Sequence, residues 1–233
     1  MLRHSTDYGR NDVKRLFSSI SSNYDLANHW MTWGQDVKWR RELLVKANLP
    51  PGGMLLDVGV GTGDLSIEAL SRDKSILVVG VDFTPEMMQL GRQREGGEYV
   101  RWVNSDALNL PCPSGLYDAV VSGFVLRNVL VVERALAEQY RVLRAGGRVV
   151  CLDTTPPADD AWHLPVRLYL HYVIPFIGGL AAGDGDAYKY LARSTEAFMK
   201  VEELATCFQN VGFKDVQYQR FMGGVVAIHW GSK

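Results

Sequence analysis

Apolar positions recur along this chain with two periods that take turns. Between Asn11 and Leu49 the period is helical, with Val13, Leu16, Phe17 and Ile20 on one stripe and Trp39, Leu43, Leu44 and Ala47 on another. Pro50-Pro51-Gly52-Gly53 stops that segment. An apolar run, Leu55-Leu56-Asp57-Val58, then meets glycines at alternate positions, Gly59, Gly61 and Gly63, and Asp64 opens a helical pattern over Leu65 to Leu70. Together these describe a strand running into a tight loop and a helix N-terminus.

The alternation continues. Ser75 to Asp82 reads as a buried strand, Pro85 to Arg94 as a helix with proline in its first turn, Tyr99 to Asn104 and Tyr117 to Ser122 as strands, Val131 to Leu143 as a helix and Gly147 to Asp153 as a strand. Strands alternating with helices call for a parallel sheet covered on both faces. Ala158 to Thr195 breaks the rhythm with a proline- and glycine-punctuated helical stretch. Val201 to Val211 resumes as a helix, and Phe213 to Arg220 and Val225 to Trp230 are strands joined at Met222-Gly223-Gly224, so they must pair antiparallel. The expected organisation is one domain over residues 1–233: a helical segment (1–50), a ligand-binding core (51–157), a helical insertion (158–197) and a C-terminal helix with its hairpin (198–233).

Composition narrows the function classes. At 233 residues with 47% hydrophobic and 22% charged positions, the chain is of ordinary globular type. A net charge of -1 gives no electrostatic footprint for nucleic acid. Cys112, Cys151 and Cys207 lack metal-ligand spacing, so no metal is expected. The first residues lack an apolar signal core, which with the cysteine usage favours a cytoplasmic setting. Leu164 to Ala182 is apolar but broken by Arg167, His171 and Pro175, and reads poorly as a membrane span.

The glycine loop is the first candidate for chemistry, because a loop without Cβ atoms lets a ligand lie against the backbone. Asp64 stands where the dinucleotide fingerprint G-x-G-x-x-G needs its last glycine. Asp57, two residues before the first glycine, is better placed for an amine-bearing ligand than for a pyrophosphate. Both features favour S-adenosylmethionine over NAD. Asp82, followed by Phe83, ends the second strand where an acid can accept two ribose hydroxyls, and Asp106, with Ala107 beside it, lies on the same edge where it can accept an adenine amine. Any one of these acids alone reads equally as a loop cap. After the fourth strand, Arg127 and Asn128 offer donors for a phenolate or carbonyl oxygen, and spacing alone leaves a solvent-facing loop pair equally open. Met87 and Met88 read as packing residues, and the lone His29 is a weaker candidate for the proton acceptor, a lone histidine in a helical segment being more often structural.

These residues resemble the C-methyltransferases of ubiquinone and menaquinone biosynthesis. The likeness is carried by Asp57 to Gly63, Asp82, Asp106-Ala107, Leu126-Arg127-Asn128-Val129 and Tyr140 to Arg148, and beyond that core by Phe17 to Asn28, Trp33-Gly34, Trp39-Arg40, Ala182-Gly183-Asp184, Tyr188 to Leu191 and Gly223 to His229. It implies a class I, Rossmann-like methyltransferase fold: an α/β protein with a seven-stranded, mostly parallel sheet, an antiparallel C-terminal hairpin, N-terminal helices and a helical lid. It also implies S-adenosylmethionine as cofactor and a polyprenylated quinol as methyl acceptor. By the same likeness Thr62, Asp82, Asp106 and Ala107 correspond to cofactor-binding positions, with Asp57, Gly59, Gly61, Gly63, Phe83 and Ser122 around them. Tyr24, Arg127 and Asn128 correspond to positions at the quinol. A peripheral membrane contact and a homodimer are compatible with it.

The chain departs from the family pattern on the acceptor side. Gly123 precedes Phe124 where relatives often have Ser, which leaves Ser122 as a shifted substitute. Leu152-Asp153-Thr154-Thr155-Pro156-Pro157 replaces a Leu-Glu-Phe-Ser-x-Pro pattern, and Phe198-Met199 a usual Phe-Pro. Two other readings therefore stand beside quinol methylation: a methyltransferase for a soluble aromatic acceptor, and a cofactor-binding assembly partner without turnover.

Overall fold

The computed structural model describes residues 29–157, 168–175 and 185–233. Within them seven strands form one sheet: β1 (Met54–Val58), β2 (Leu77–Asp82), β3 (Val100–Asn104), β4 (Tyr117–Gly123), β5 (Leu143–Thr154), β6 (Lys214–Phe221) and β7 (Val226–Ser232). Their order is β3-β2-β1-β4-β5-β7-β6. The first five run parallel, and β7 lies between β5 and β6, antiparallel to both. The strand order therefore runs outward in opposite senses from between β1 and β4, and in an open α/β sheet ligands bind at that switch, beyond the carboxyl ends of the strands.

Two hydrophobic layers flank the sheet because neighbouring strand residues point to opposite faces. Leu55, Val78, Val121 and Val150 pack with Trp39, Leu43 and Ala47 of α1 (Gln35–Ala47) and with Leu65 and Ala69 of α2 (Asp64–Arg72). Leu56, Val79, Val120 and Val149 pack on the other side with Ala135 and Leu136 of α4 (Val132–Val142) and with Leu204, Cys207 and Phe208 of α6 (Val201–Val211). α3 (Pro85–Arg92) follows β2 with proline in its first turn, and α5 (Gly185–Ala197) supplies Ala192 to the first layer.

The expected strands and helices of the described residues are present with ends shifted by a residue or two, as at β2, which begins at Leu77 rather than Ser75, and the larger difference lies at β5. Leu143 continues the apolar period of α4 but is extended (φ -67°, ψ 139°), and β5 begins there rather than at Gly147. Leu143 pairs with Tyr117, and the next partners are Arg148 and Ala119, so the residues between loop out of the ladder. The turn needs a left-handed residue, which Gly146 supplies at φ 75°. The N-terminal stretch 11–28 and much of the expected lid, 158–167 and 176–184, lie outside the described residues, as does Tyr24. No described helix is long and apolar enough to cross a membrane.

Candidate active site

The glycine loop leaves β1 at the switch point and is tied to the next strand. Gly59 and Val60 donate to the Val81 carbonyl at 2.7 and 3.0 Å, and Gly61 N–H donates to Asp82 Oδ2 at 2.9 Å. Gly59 sits at φ 73°, and a Cβ there would lie 2.2 Å from Val125 Cγ2. No larger residue fits that approach. Gly59, Gly61, Thr62, Asp82, Phe83, Asp106 and Ala107 all line one cavity, so residues chosen at three separate strand ends converge. Ser122 faces inward, registered opposite Cys151, and Gly123 forms the wall instead. Gly63 stands just behind the loop, where a Cβ would meet Trp102 at 2.7 Å.

The acids have different partners. Asp57 is buried, its Oδ2 accepts from Ser66 Oγ at 2.8 Å, and Oδ1 has no partner among the described residues. Burial pushes its pKa up to about 7, against the Ser66 hydrogen bond, with repulsion from Asp82 and Asp64 adding to the rise. Asp82 is also raised by burial, although backbone N–H groups of Thr84 and Gly61 hold its carboxylate. Asp106 accepts from Leu108 N–H at 3.0 Å. Met88 packs as expected, but Met87 also lines the cavity, a contact its helical stripe did not reveal.

A second, more apolar cavity shares Phe124 as a wall and is lined by Trp39, Tyr169, Ile174, Leu191 and Met222. Phe124 is a non-glycine residue at φ 60°, pinned by its N–H to the Leu152 carbonyl at 2.7 Å. Such a conformation persists only where its surroundings impose it. Arg127 faces this second cavity and is absent from the lining of the first. Its side chain is 3% exposed; Nη1 contacts Asp153 Oδ1 at 2.6 Å, and Nε has no partner among the described residues. Asn128 lines the first cavity, donates from Nδ2 to the Phe124 carbonyl at 2.9 Å and accepts from Tyr190 O–H at 3.0 Å. Asp153 and Tyr190 were missed as site residues. The acid at the end of the fifth strand was the available signal for Asp153; for Tyr190, 62 residues from the amide it holds, the family likeness of Tyr188 to Leu191 was the signal, and it named no role.

No group of three or more potential metal ligands occurs among the described residues. The described site instead offers an acid-rich polar cavity and an apolar one with a buried cation, side by side.

Comparison with known proteins gives the family. The chain is 43% identical over 221 residues to the ubiquinone/menaquinone biosynthesis C-methyltransferase of Desulfotalea psychrophila, covering 95% of this chain and 90% of that one. It is 41% identical over 220 residues to the demethylmenaquinone methyltransferase of Thermus thermophilus, covering 94% and 100%. A solved structure of a SAM-dependent methyltransferase from Thermotoga maritima, described as a possible histamine N-methyltransferase, superposes with a TM-score of 0.66 at 19% identity, covering 94% of this chain and 98% of that one. That last likeness establishes the methyltransferase fold. The model of the ubiE/COQ5 methyltransferase family matches residues 5–233, and the chain belongs to that family of enzymes.

Proposed function

We propose that this methyltransferase uses S-adenosylmethionine to methylate a ring carbon of a quinol, either demethylmenaquinol or the related polyprenyl benzoquinol. The observation that carries the reading is the pair of cavities divided by Phe124: a polar one beside the glycine loop and an apolar one faced by Arg127. The names of the two curated relatives support the acceptor class.

The residues fit the methyl donor. Asp57 Oδ1 is buried and lacks a partner among the described residues, which suits an ammonium donor, and Asp82 and Asp106 place carboxylates, which accept from hydroxyl and amine groups, in the wall of the same cavity. The cofactor, when bound, supplies a methyl already activated on a sulfonium sulfur. The protein then has to align the acceptor carbon and exclude water. A neutral quinol carbon is a poor nucleophile, and ionising the neighbouring hydroxyl makes it a good one.

A guanidinium is not a proton acceptor in a protein, so the role open to Arg127 is to stabilise a phenolate by charge and hydrogen bonding. Asp153 balances the guanidinium charge in a buried pair, and the Nε–H is the donor left for a ring oxygen. Asn128, oriented by Phe124 and Tyr190, supplies a second hydrogen bond. A water ordered between these groups accepts the hydroxyl proton. Tyr24, outside the described residues, is assigned to the acceptor by family resemblance alone.

A prenyl tail needs an apolar exit. Trp30, Trp33, Leu168 and Tyr172 are exposed, and Trp33 Nε1 donates to Tyr169 O–H at 3.1 Å, joining the two described segments that carry them. These side chains support a peripheral contact with the membrane that holds the acceptor. Flotation with quinol-loaded liposomes should recover the protein in the lipid fraction.

The deciding assay offers labelled S-adenosylmethionine with a panel of demethylmenaquinol, benzoquinol and soluble phenols. Label is expected in a quinol. Transfer to phenols alone would overturn the acceptor assignment, and no transfer to any acceptor would favour the assembly-partner reading.

A further inference from the structure

Arg40 reaches the polar cavity from α1 and is the only basic residue in its described lining, against Asp57, Asp64, Asp82 and Asp106. Its side chain is 13% exposed. Nη1 donates to Asp36 Oδ2 and Nη2 contacts Asp64 Oδ2, each at 2.7 Å. Those two carboxylates each hold one terminal nitrogen of the guanidinium, and Asp64 is itself held by Arg94 Nη1 at 2.7 Å. Among the described residues these contacts occupy only part of the donor fork.

Asp57 poses the complementary problem at the same cavity. Its Oδ1 is buried without a partner among the described residues, and such an oxygen calls for a cationic donor. A ligand presenting an ammonium to Asp57 and a carboxylate to Arg40 satisfies both, and that combination is an α-amino acid end. We propose that Arg40 binds the α-carboxylate of the methionine moiety of S-adenosylmethionine, and so selects the intact amino acid end of the methyl donor. The inference rests on the cofactor reading above and adds a residue to it.

The competing role for Arg40 is purely structural, as a tie between α1 and the N-terminus of α2. The two roles differ in which ligands a substitution affects. A structural tie supports the whole cavity, whereas a carboxylate contact matters only to ligands that carry the carboxylate.

Calorimetry separates them with three probes: S-adenosylhomocysteine, its decarboxylated counterpart S-adenosyl-3-thiopropylamine, and 5′-methylthioadenosine, which lacks the amino acid end altogether. The wild-type protein is expected to bind S-adenosylhomocysteine about 10- to 100-fold more tightly than the decarboxylated amine, the range of one charge-assisted contact. Arg40→Gln should abolish that preference, losing about 10- to 100-fold for S-adenosylhomocysteine and less than about threefold for the other two probes. Arg40→Lys, which keeps the charge but not the fork, should recover part of the preference.

Equal losses for all three probes in Arg40→Gln would overturn the proposal in favour of the structural tie. So would a wild-type protein that does not distinguish the acid from its decarboxylated form, a measurement that needs no variant to fold. Failure of the wild-type protein to bind any of the three would bring down the cofactor reading itself, and this proposal with it.

Discussion

Asp57 carries a proton or a charge depending on two opposed influences, and its pKa of about 7 places the change in the working range. Burial dominates the rise, and the nearby Asp82 and Asp64 reinforce it. Because the folded value exceeds the ordinary 3.8, the folded state holds an extra proton between those two values. The contribution of Asp57 to stability therefore falls as pH rises through that window and is level above it. Binding of an ammonium selects the ionised carboxylate, so affinity moves the other way. Calorimetry with S-adenosylhomocysteine should show binding about an order of magnitude tighter at pH 8 than at pH 5.5. In Asp57→Asn that pH dependence should vanish; a flat wild-type profile would refute the role given to the carboxylate. At this scale the sequence was informative about Asp57, Asp82 and Asp106, because each ends or follows a strand and strand ends share an edge. It said nothing of which oxygen would be left without a partner. That depends on Ser66, a helix residue whose hydroxyl reaches Asp57 only after β1 and α2 have packed.

Between elements, the buried pair Arg127–Asp153 joins the turn after β4 to the end of β5, and the Arg127 N–H also donates to Asp153 Oδ2 at 3.2 Å. Removing one partner strands the other charge in the interior, at a cost of about 3–5 kcal/mol. Arg127→Met should therefore unfold at markedly lower denaturant than wild type. Adding Asp153→Asn removes the stranded charge, so Arg127→Met/Asp153→Asn should regain much of that stability while quinol turnover stays low. If turnover returned together with stability, Arg127 would be an architectural residue only. The pair also marks where element reading stops being sufficient. Helix and strand positions followed from periodicity, and the antiparallel end followed from the short Met222-Gly223-Gly224 turn. The ion pair spans 26 residues between adjacent strand ends, and neither local pattern carries that distance. The same holds for Arg40 and Asp64, which no periodicity joins and which meet only when α1 crosses α2.

Across the whole molecule, β7 has to travel back into the sheet, between β5 and β6, before the architecture is complete. Its last residues close a long loop onto chain laid down much earlier: Gly146 N–H donates to the Lys233 carbonyl at 2.9 Å and Lys233 N–H to the Gly147 carbonyl at 3.0 Å. Loop closure of this length costs little more than a shorter one, so a modest set of end contacts can hold it. Lys233 supplies that set. Its Nζ donates to the carbonyls of Tyr140 and Leu143 at 2.7 and 2.8 Å and contacts that of Arg141 at 3.3 Å. Those carbonyls sit where α4 gives way to β5, and the abrupt extension at Leu143 leaves them without helical partners. A cation there also faces the negative end of the helix. Partial burial and the nearby Arg141 lower the pKa of Lys233, a penalty the three carbonyls offset. Lys233→Met keeps the length of the side chain and removes the donors. It should cost about 1–2 kcal/mol, a fall in Tm of about 2–8 °C for a domain of this size. Because this anchor stands apart from the residues that line both cavities, affinity for S-adenosylhomocysteine should be unchanged. A Tm equal to wild type would mean that the β5–β7 ladder alone holds this strand end, and that the lysine merely rests on carbonyls other donors satisfy, as Gly115 N–H does that of Arg141 at 3.0 Å.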